Sequence, residues 1–216
     1  MLVIENLSVV RNGRNILDSV SLTAKEGQVL LIAGHNGAGK STLLKTIFGE
    51  LSPSRGAVRG AETGSTFYLP QGRTVFPSLK VSEHLRLYRS LVPESERPEA
   101  LLAAAVLPDQ ALAGELSGGQ RQWLAASRLN AGRPRLILID ELTTGLSPAW
   151  RKRMLESLRD TTDAAGAPTL LVEHNVRDAI EIADRLLVLR QGKLVLDTAA
   201  APLRQDTAKL EEVLVL

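Results

Sequence analysis

Apolar and polar residues alternate from Leu2 to Val9 and again from Asn15 to Thr23, and the two stretches flank Asn12-Gly13. Period-two alternation on either side of an Asn-Gly pair predicts two antiparallel strands joined by a tight turn, a small β layer rather than a central sheet. The pattern changes at Gln28–Ala33, a short apolar run that leads through glycines into a helix-forming stretch, Lys40–Gly49. That is the signature of a buried parallel strand feeding a helix. A poorly patterned region follows Ser54-Arg55-Gly56, then a strand ending at Leu69 and a Gly- and Pro-rich loop up to Pro77. Helical signals resume at Ser82 with Glu83 in the first turn. From there to about Ala113 the chain reads as helix, linker with Pro93 and Pro98, helix, and linker with Pro108. Further helices are predicted over Gly118–Ala131, after Pro148 and over Val176–Ala183. Strands are predicted over Leu136–Ile139 and Thr169–Glu173, with a hairpin over Leu186–Asp197 turning at Gln191-Gly192. Strands alternating with helices imply parallel pairing with right-handed crossovers.

Composition sharpens the fold class. The chain has 216 residues, 44% hydrophobic and 3% aromatic, which suits an aliphatic α/β core in one domain better than an aromatic-rich β sandwich. A net charge of +2, with Lys and Arg spread along the chain, is too weak for a nucleic-acid footprint, and no nucleic-acid partner is expected. There are no cysteines, so disulfide and thiolate chemistry are excluded. The N-terminus does not read as a signal peptide, and no run approaches the ~18 apolar residues of a membrane span. A cytoplasmic location, with any membrane attachment supplied by a partner, is the expectation.

Gly34-His35-Asn36-Gly37-Ala38-Gly39-Lys40-Ser41 fits G-x-x-x-x-G-K-[ST], set between a predicted strand and a predicted helix. Glycines let successive N–H groups face phosphate oxygens, and the helix adds its positive end. Lys40 is expected at the β- and γ-phosphates of a nucleotide, Ser41 on Mg2+, and Thr42 at the α-phosphate. His35 occupies a variable position. Ser117-Gly118-Gly119-Gln120 opens a predicted helix and makes a second candidate anion site. The strand Leu136–Ile139 ends in Asp140, placed to hold Mg2+, and Glu141, able to polarise an attacking water as a general base. Gln71 and His174 follow two other strand ends, where they would face a γ-phosphate.

In order and approximate spacing, GHNGAGKS, Gln71, LSGGQ, LILIDE and His174 resemble the ATP-binding cassette family over essentially the whole chain. The resemblance implies a P-loop NTPase core with a mixed, largely parallel sheet, an antiparallel β subdomain and a helical insert at about 78–130. It implies ATP and Mg2+ as ligands and two cassettes sandwiching two ATP molecules. Ser117, Gly118, Gly119 and Gln120 would then face the γ-phosphate held by the other cassette, whether a second copy or a homologous subunit. Gln71 would contact Mg2+ and sense a transmembrane permease partner, and His174 would be the switch histidine. The stretches PQGRTVFP and GLSP are most similar to branched-chain amino-acid-type importer ATPases, which implies import of amino-acid-like or other small solutes by a subunit lying on the inner face of the membrane. A clamp or regulator that uses ATP without transport is the alternative. Val75 and Phe76 either contribute to a groove for a permease helix or pack against the insert. Three departures stand out. Arg11 occupies the position expected to stack on adenine, where an aromatic is usual. Leu142 replaces the usual proline after Glu141. The stretch Gly56–Ser65 is shorter than in most amino-acid importer ATPases.

Overall fold

The computed structural model describes residues 1–62, 64–72, 75–92 and 107–215. Arg73 and Thr74 of the loop after Gln71, and the second helix expected in the insert across residues 93–106, lie outside the described residues.

The N-terminal alternation resolves into β1 (Leu2–Arg11) and β2 (Arg14–Ala24), paired antiparallel. Asn12 (φ 51°) and Gly13 (φ 73°) are both left-handed, as a two-residue turn matching the strand twist requires. The apolar run becomes β3 (Val29–Ala33), buried throughout, and feeds α1 (Lys40–Phe48). The weakly patterned stretch that follows contains β4 (Arg55–Arg59), which pairs antiparallel with β1 and completes a three-stranded sheet in the order β2-β1-β4. Its five residues are exposed or half-buried at the sheet edge, so no apolar alternation marks it. β5 (Thr66–Leu69) precedes α2 (Val81–Ser90) and α3 (Gly118–Ala126). The helix expected to reach Ala131 tightens after Ala126 into a 3-10 turn, Ser127–Ala131.

The remainder is a βα alternation: β6 (Leu136–Asp140), α4 (Pro148–Ala165), β7 (Thr169–Val172), α5 (Val176–Ala179), β8 (Arg185–Arg190) and β9 (Lys193–Ala199). The expected helix to Ala183 stops at Ala179: beyond it the Ile182 and Ala183 N–H groups pair three residues back, the Asp184 N–H donates to the Val29 carbonyl, and Arg204 donates to the carbonyls of Ile180 and Ala183. α6 (Ala201–Arg204) and α7 (Thr207–Val215), to which the sequence pattern assigned nothing, close the described chain.

The central sheet has six strands in the order β5-β6-β7-β3-β8-β9, parallel except for the β8–β9 hairpin. Its side chains divide by parity. Val29, Leu31, Ile137, Ile139, Leu171 and Leu186 join α2, α3 and α4 in one cluster. Leu30, Ile32, Leu136, Leu138, Leu170 and Leu187 join α1 and the antiparallel sheet in the other. Strands covered on both faces must be apolar at every position, which is why LLIA and LILI show no alternation. The carboxyl ends of β3, β5, β6 and β7 all open on the same side, next to the start of α1, the place where open α/β sheets bind ligands.

Candidate functional site

The loop from Gly34 to Gly39 is shaped by contacts only glycine allows. A Cβ on Gly34 (φ 148°) would lie 2.2 Å from the Leu189 carbonyl oxygen, and one on Gly39 (φ 104°) would lie 2.8 Å from that of Ile16. Gly192, in the β8–β9 turn, approaches the same Ile16 carbonyl more closely still, a Cβ there lying 2.4 Å from its oxygen, and donates to the Ala38 carbonyl at 3.0 Å. The turn at Gln191-Gly192 thus buttresses the loop, a role with no local sequence signal. No side chain caps α1 at Gly39, so the first N–H groups of the helix face outward together with its positive dipole end.

Lys40 is buried and folds back, its Nζ donating to the carbonyls of Gly34 (2.7 Å) and His35 (3.0 Å). Burial lowers its pKa while the carboxylates of Asp140 and Glu141 pull it upward. Asn36, Gly37, Gly39, Lys40, Ser41 and Thr42 line a groove of about 470 Å³ with Ile16, Gln71, Asp140, Glu141 and His174. The structure therefore brings the P-loop, both acids, the glutamine and the histidine into one site. Gly34 and Ala38 do not line it. Arg11 is exposed at the end of β1 and does not line it; Ile16 does.

Asp140 is 2% exposed, and burial raises its pKa against a hydrogen bond from Ser41. Its Oδ1 has no hydrogen-bond partner. A buried carboxylate oxygen left without a donor is costly and suits a cation. Among the described residues no three His, Cys, Asp or Glu side chains form a metal cage. One carboxylate and a serine hydroxyl fit a hard ion such as Mg2+, which takes few protein ligands when phosphate oxygens supply the rest.

Glu141 has φ 65°, a left-handed conformation that costs a non-glycine residue about 1–3 kcal/mol. Its N–H continues the ladder to the Val172 carbonyl at 3.0 Å. Its Oε1 accepts from Gln71 Nε2 (2.6 Å) and lies 2.8 Å from His174 Nε2, and Oε2 accepts from Thr144 Oγ1 at 3.0 Å. Gln122 on α3 donates to the Glu141 carbonyl at 2.9 Å. Thr144 and Gln122 were not singled out by sequence, since neither stands at a strand end. Leu142, which supplies the backbone N–H that a proline lacks, donates to Glu173 Oε1 at 2.7 Å.

Ser117 caps α3: its Oγ accepts from the Gln120 N–H at 3.2 Å, and the Gln120 side chain accepts from the Ser117 N–H at 2.9 Å. The reciprocal box holds the helix start open to solvent. Ser117, Gly118, Gly119 and Gln120 line a second cleft of about 500 Å³ with Gly145, Leu146, Ser147 and the edge-to-face pair Trp123–Trp150. None of these residues lines the P-loop groove, so the cleft and the groove are separate.

In the loop after Gln71, Phe76 is 57% exposed while Val75 is half-buried against the core. The Phe76 N–H donates to His84 Nε2 at 2.9 Å, and His84 Nδ1 faces the Lys80 carbonyl at 3.0 Å.

A family profile described as ABC transporter matches residues 17–144, more than half of the chain. The chain is 33% identical over 218 residues to the Fe(3+) ions import ATP-binding protein FbpC 2 of Pectobacterium atrosepticum, covering 90% of this chain and 61% of that protein's length. It is 32% identical over 220 residues to the high-affinity branched-chain amino acid transport ATP-binding protein BraG of Pseudomonas aeruginosa, covering 93% of this chain and 94% of that protein. A solved structure described as the ATP binding subunit of an ABC transporter aligns with a TM-score of 0.81 at 25% identity, over 100% of this chain and 98% of that one.

Proposed function

Because this chain belongs to the ABC transporter family, we propose that its P-loop groove hydrolyses Mg-ATP and that the chain is the motor subunit of a solute importer. The observation that carries the reading is the convergence of Gln71, Glu141 and His174 on one side of the groove whose other wall is Lys40, Ser41 and Asp140.

In this reading the backbone N–H groups of Asn36, Gly37, Ala38 and Gly39 cradle the phosphates. Lys40 leaves the carbonyls of Gly34 and His35 for the β- and γ-phosphate oxygens, and Thr42 meets the α-phosphate. Ile16 offers the adenine an apolar contact, and Arg11, exposed outside the groove at the end of β1, would reach over it to lay its planar guanidinium against the base. Ser41, Asp140 and Gln71 would hold Mg2+, which would offset the negative charge of the phosphate oxygens. Glu141 accepts the proton of the water that attacks the γ-phosphorus. His174 holds that water and the γ-phosphate in line, so positioning and charge neutralisation do most of the work. Ser117, Gly118, Gly119 and Gln120 cover the γ-phosphate of a second cassette, a copy of this chain or a homologue, which makes hydrolysis depend on two subunits closing.

The exposed Phe76 lies five positions after Gln71, so a permease helix seated there would be linked to the groove. No described helix is long and apolar enough to cross a membrane, so the permease partners would bring the chain to the inner face of the membrane. The near full-length match to the branched-chain amino acid transport protein supports an amino-acid-like cargo. Phosphate release from ATP by the purified chain tests the reading. It is expected to require Mg2+, to stop on chelation, and to be lost together with ATP binding in Lys40→Ala. Release that survives both changes would overturn it.

A further inference from the structure

Glu173 is 3% exposed and directly precedes His174, yet its carboxylate turns away from the groove toward the backbone that follows Glu141. Oε1 accepts from the Leu142 N–H at 2.7 Å and the Thr143 N–H at 2.8 Å, and Oε2 accepts from Thr143 Oγ1 at 2.9 Å. Three donors on two oxygens satisfy a carboxylate whose burial would otherwise be unfavourable. Together with the Glu141 N–H to the Val172 carbonyl and the His174–Glu141 contact, they tie residues 141–143 to residues 172–174 at the ends of neighbouring strands β6 and β7.

The segment held in this way starts at a left-handed residue. Glu141 reaches φ 65°, a backbone state that persists only where the surroundings over-determine it. The two peptide N–H groups immediately after it are the ones Glu173 captures. Leu142 makes the capture possible, since proline there would lack the donor and would restrict the preceding residue to extended conformations.

We propose that Glu173 is a positioning residue, holding the backbone after Glu141 in the left-handed bend that aims the Glu141 carboxylate at His174 and Gln71. The role rests on Glu141 being the general base. Glu173 does not line the groove; it acts through the orientation of Glu141.

The test compares Glu173→Ala and Glu173→Gln with wild type, each also combined with Glu141→Gln, reading kcat, KM for Mg-ATP and ATP affinity. Glu173→Ala is expected to lower kcat about 100-fold, the scale of a misplaced reacting group, with KM and ATP affinity within threefold of wild type. Glu173→Gln keeps an acceptor for both N–H groups and is expected to restore most of the rate. In the Glu141→Gln background, Glu173→Ala is expected to slow turnover no further. Thr143→Val removes the hydroxyl donor to Oε2 without touching Glu173 or the backbone; it is expected to lower kcat in the same selective way, and it serves if Glu173→Ala does not fold. The proposal is overturned by wild-type kcat in Glu173→Ala, by parallel loss of kcat and ATP affinity that Gln does not restore, or by an equal further loss in Glu141→Gln. Wild-type turnover in Glu141→Gln alone would instead overturn the general-base reading, and the positioning role with it.

Discussion

Gln71 Nε2 donates to Glu141 Oε1 at 2.6 Å, joining the loop after β5 to the end of β6. The loop that presents Phe76 to solvent and the proposed base are therefore one hydrogen bond apart. Removing a neutral donor of this kind is worth about 1 kcal/mol, close to a fivefold rate effect. Gln71→Ala is expected to lower kcat about fivefold while ATP binding persists; measured steady-state kinetics with unchanged kcat would remove Gln71 from the site.

The Phe76 ring is 57% exposed and stacks on His84 with centroids 6.0 Å apart, while its backbone N–H holds the loop through the same imidazole. Phe76→Asp leaves that backbone bond in place and charges the exposed face. Co-purification from membranes is expected to lose the permease subunits, with ATP affinity of the isolated chain unchanged.

Arg159 on α4 donates to Asp163, to Asp184 at 2.9 Å and to the Gly27 carbonyl at 2.6 Å, while Asp184 also accepts from the Val29 N–H at 2.7 Å. It pins α4 to the start of β3. Arg159→Ala is expected to cost about 2 kcal/mol and to lower Tm by about 4–8 °C. The hydrogen bond from Arg159 holds the Asp163 carboxyl below its ordinary 3.8. Its contribution is therefore complete above pH about 4 and is lost as pH falls through the depressed folded-state value. Thermal melts between pH 3 and 7 are expected to show the gap between wild type and Arg159→Ala narrowing at the acid end, with the Gly27 contact keeping part of it.

Much of this site was legible because its chemistry forces local sequence. A phosphate cradle needs Gly34, Gly37 and Gly39 in a fixed frame before Lys40, and a buried parallel strand ending in Asp140-Glu141 is visible as an apolar run cut off by two acids. The reciprocal cap at Ser117 and Gln120 is likewise local. What stayed hidden depends on tertiary contact. β4 is an edge strand with no buried alternation. Residues 176–183 carry an apolar pattern that cannot reveal the Asp184 N–H leaving the helix for the distant Val29 carbonyl. Glu173 reads as one more polar residue at a strand end, and only the fold turns it toward Leu142 and Thr143. Gly192 reads as a hairpin glycine, although its close approach is to Ile16 and the P-loop.

The groove and the Ser117 cleft share no lining residue, and in the proposed reading the cleft of one cassette covers the groove of another. Light scattering of Glu141→Gln, in which slowed hydrolysis keeps the nucleotide in place, is expected to show the mass doubling on addition of Mg-ATP. An unchanged mass with ATP demonstrably bound would assign the complementary cleft to a homologous subunit rather than to a second copy.

The most direct test of the central claim is phosphate release by Glu141→Gln measured beside its ATP affinity. With Glu141 as general base, turnover is expected to fall by about 100-fold or more while ATP binds within a few-fold of wild type. Turnover at the wild-type rate with ATP bound would contradict the account.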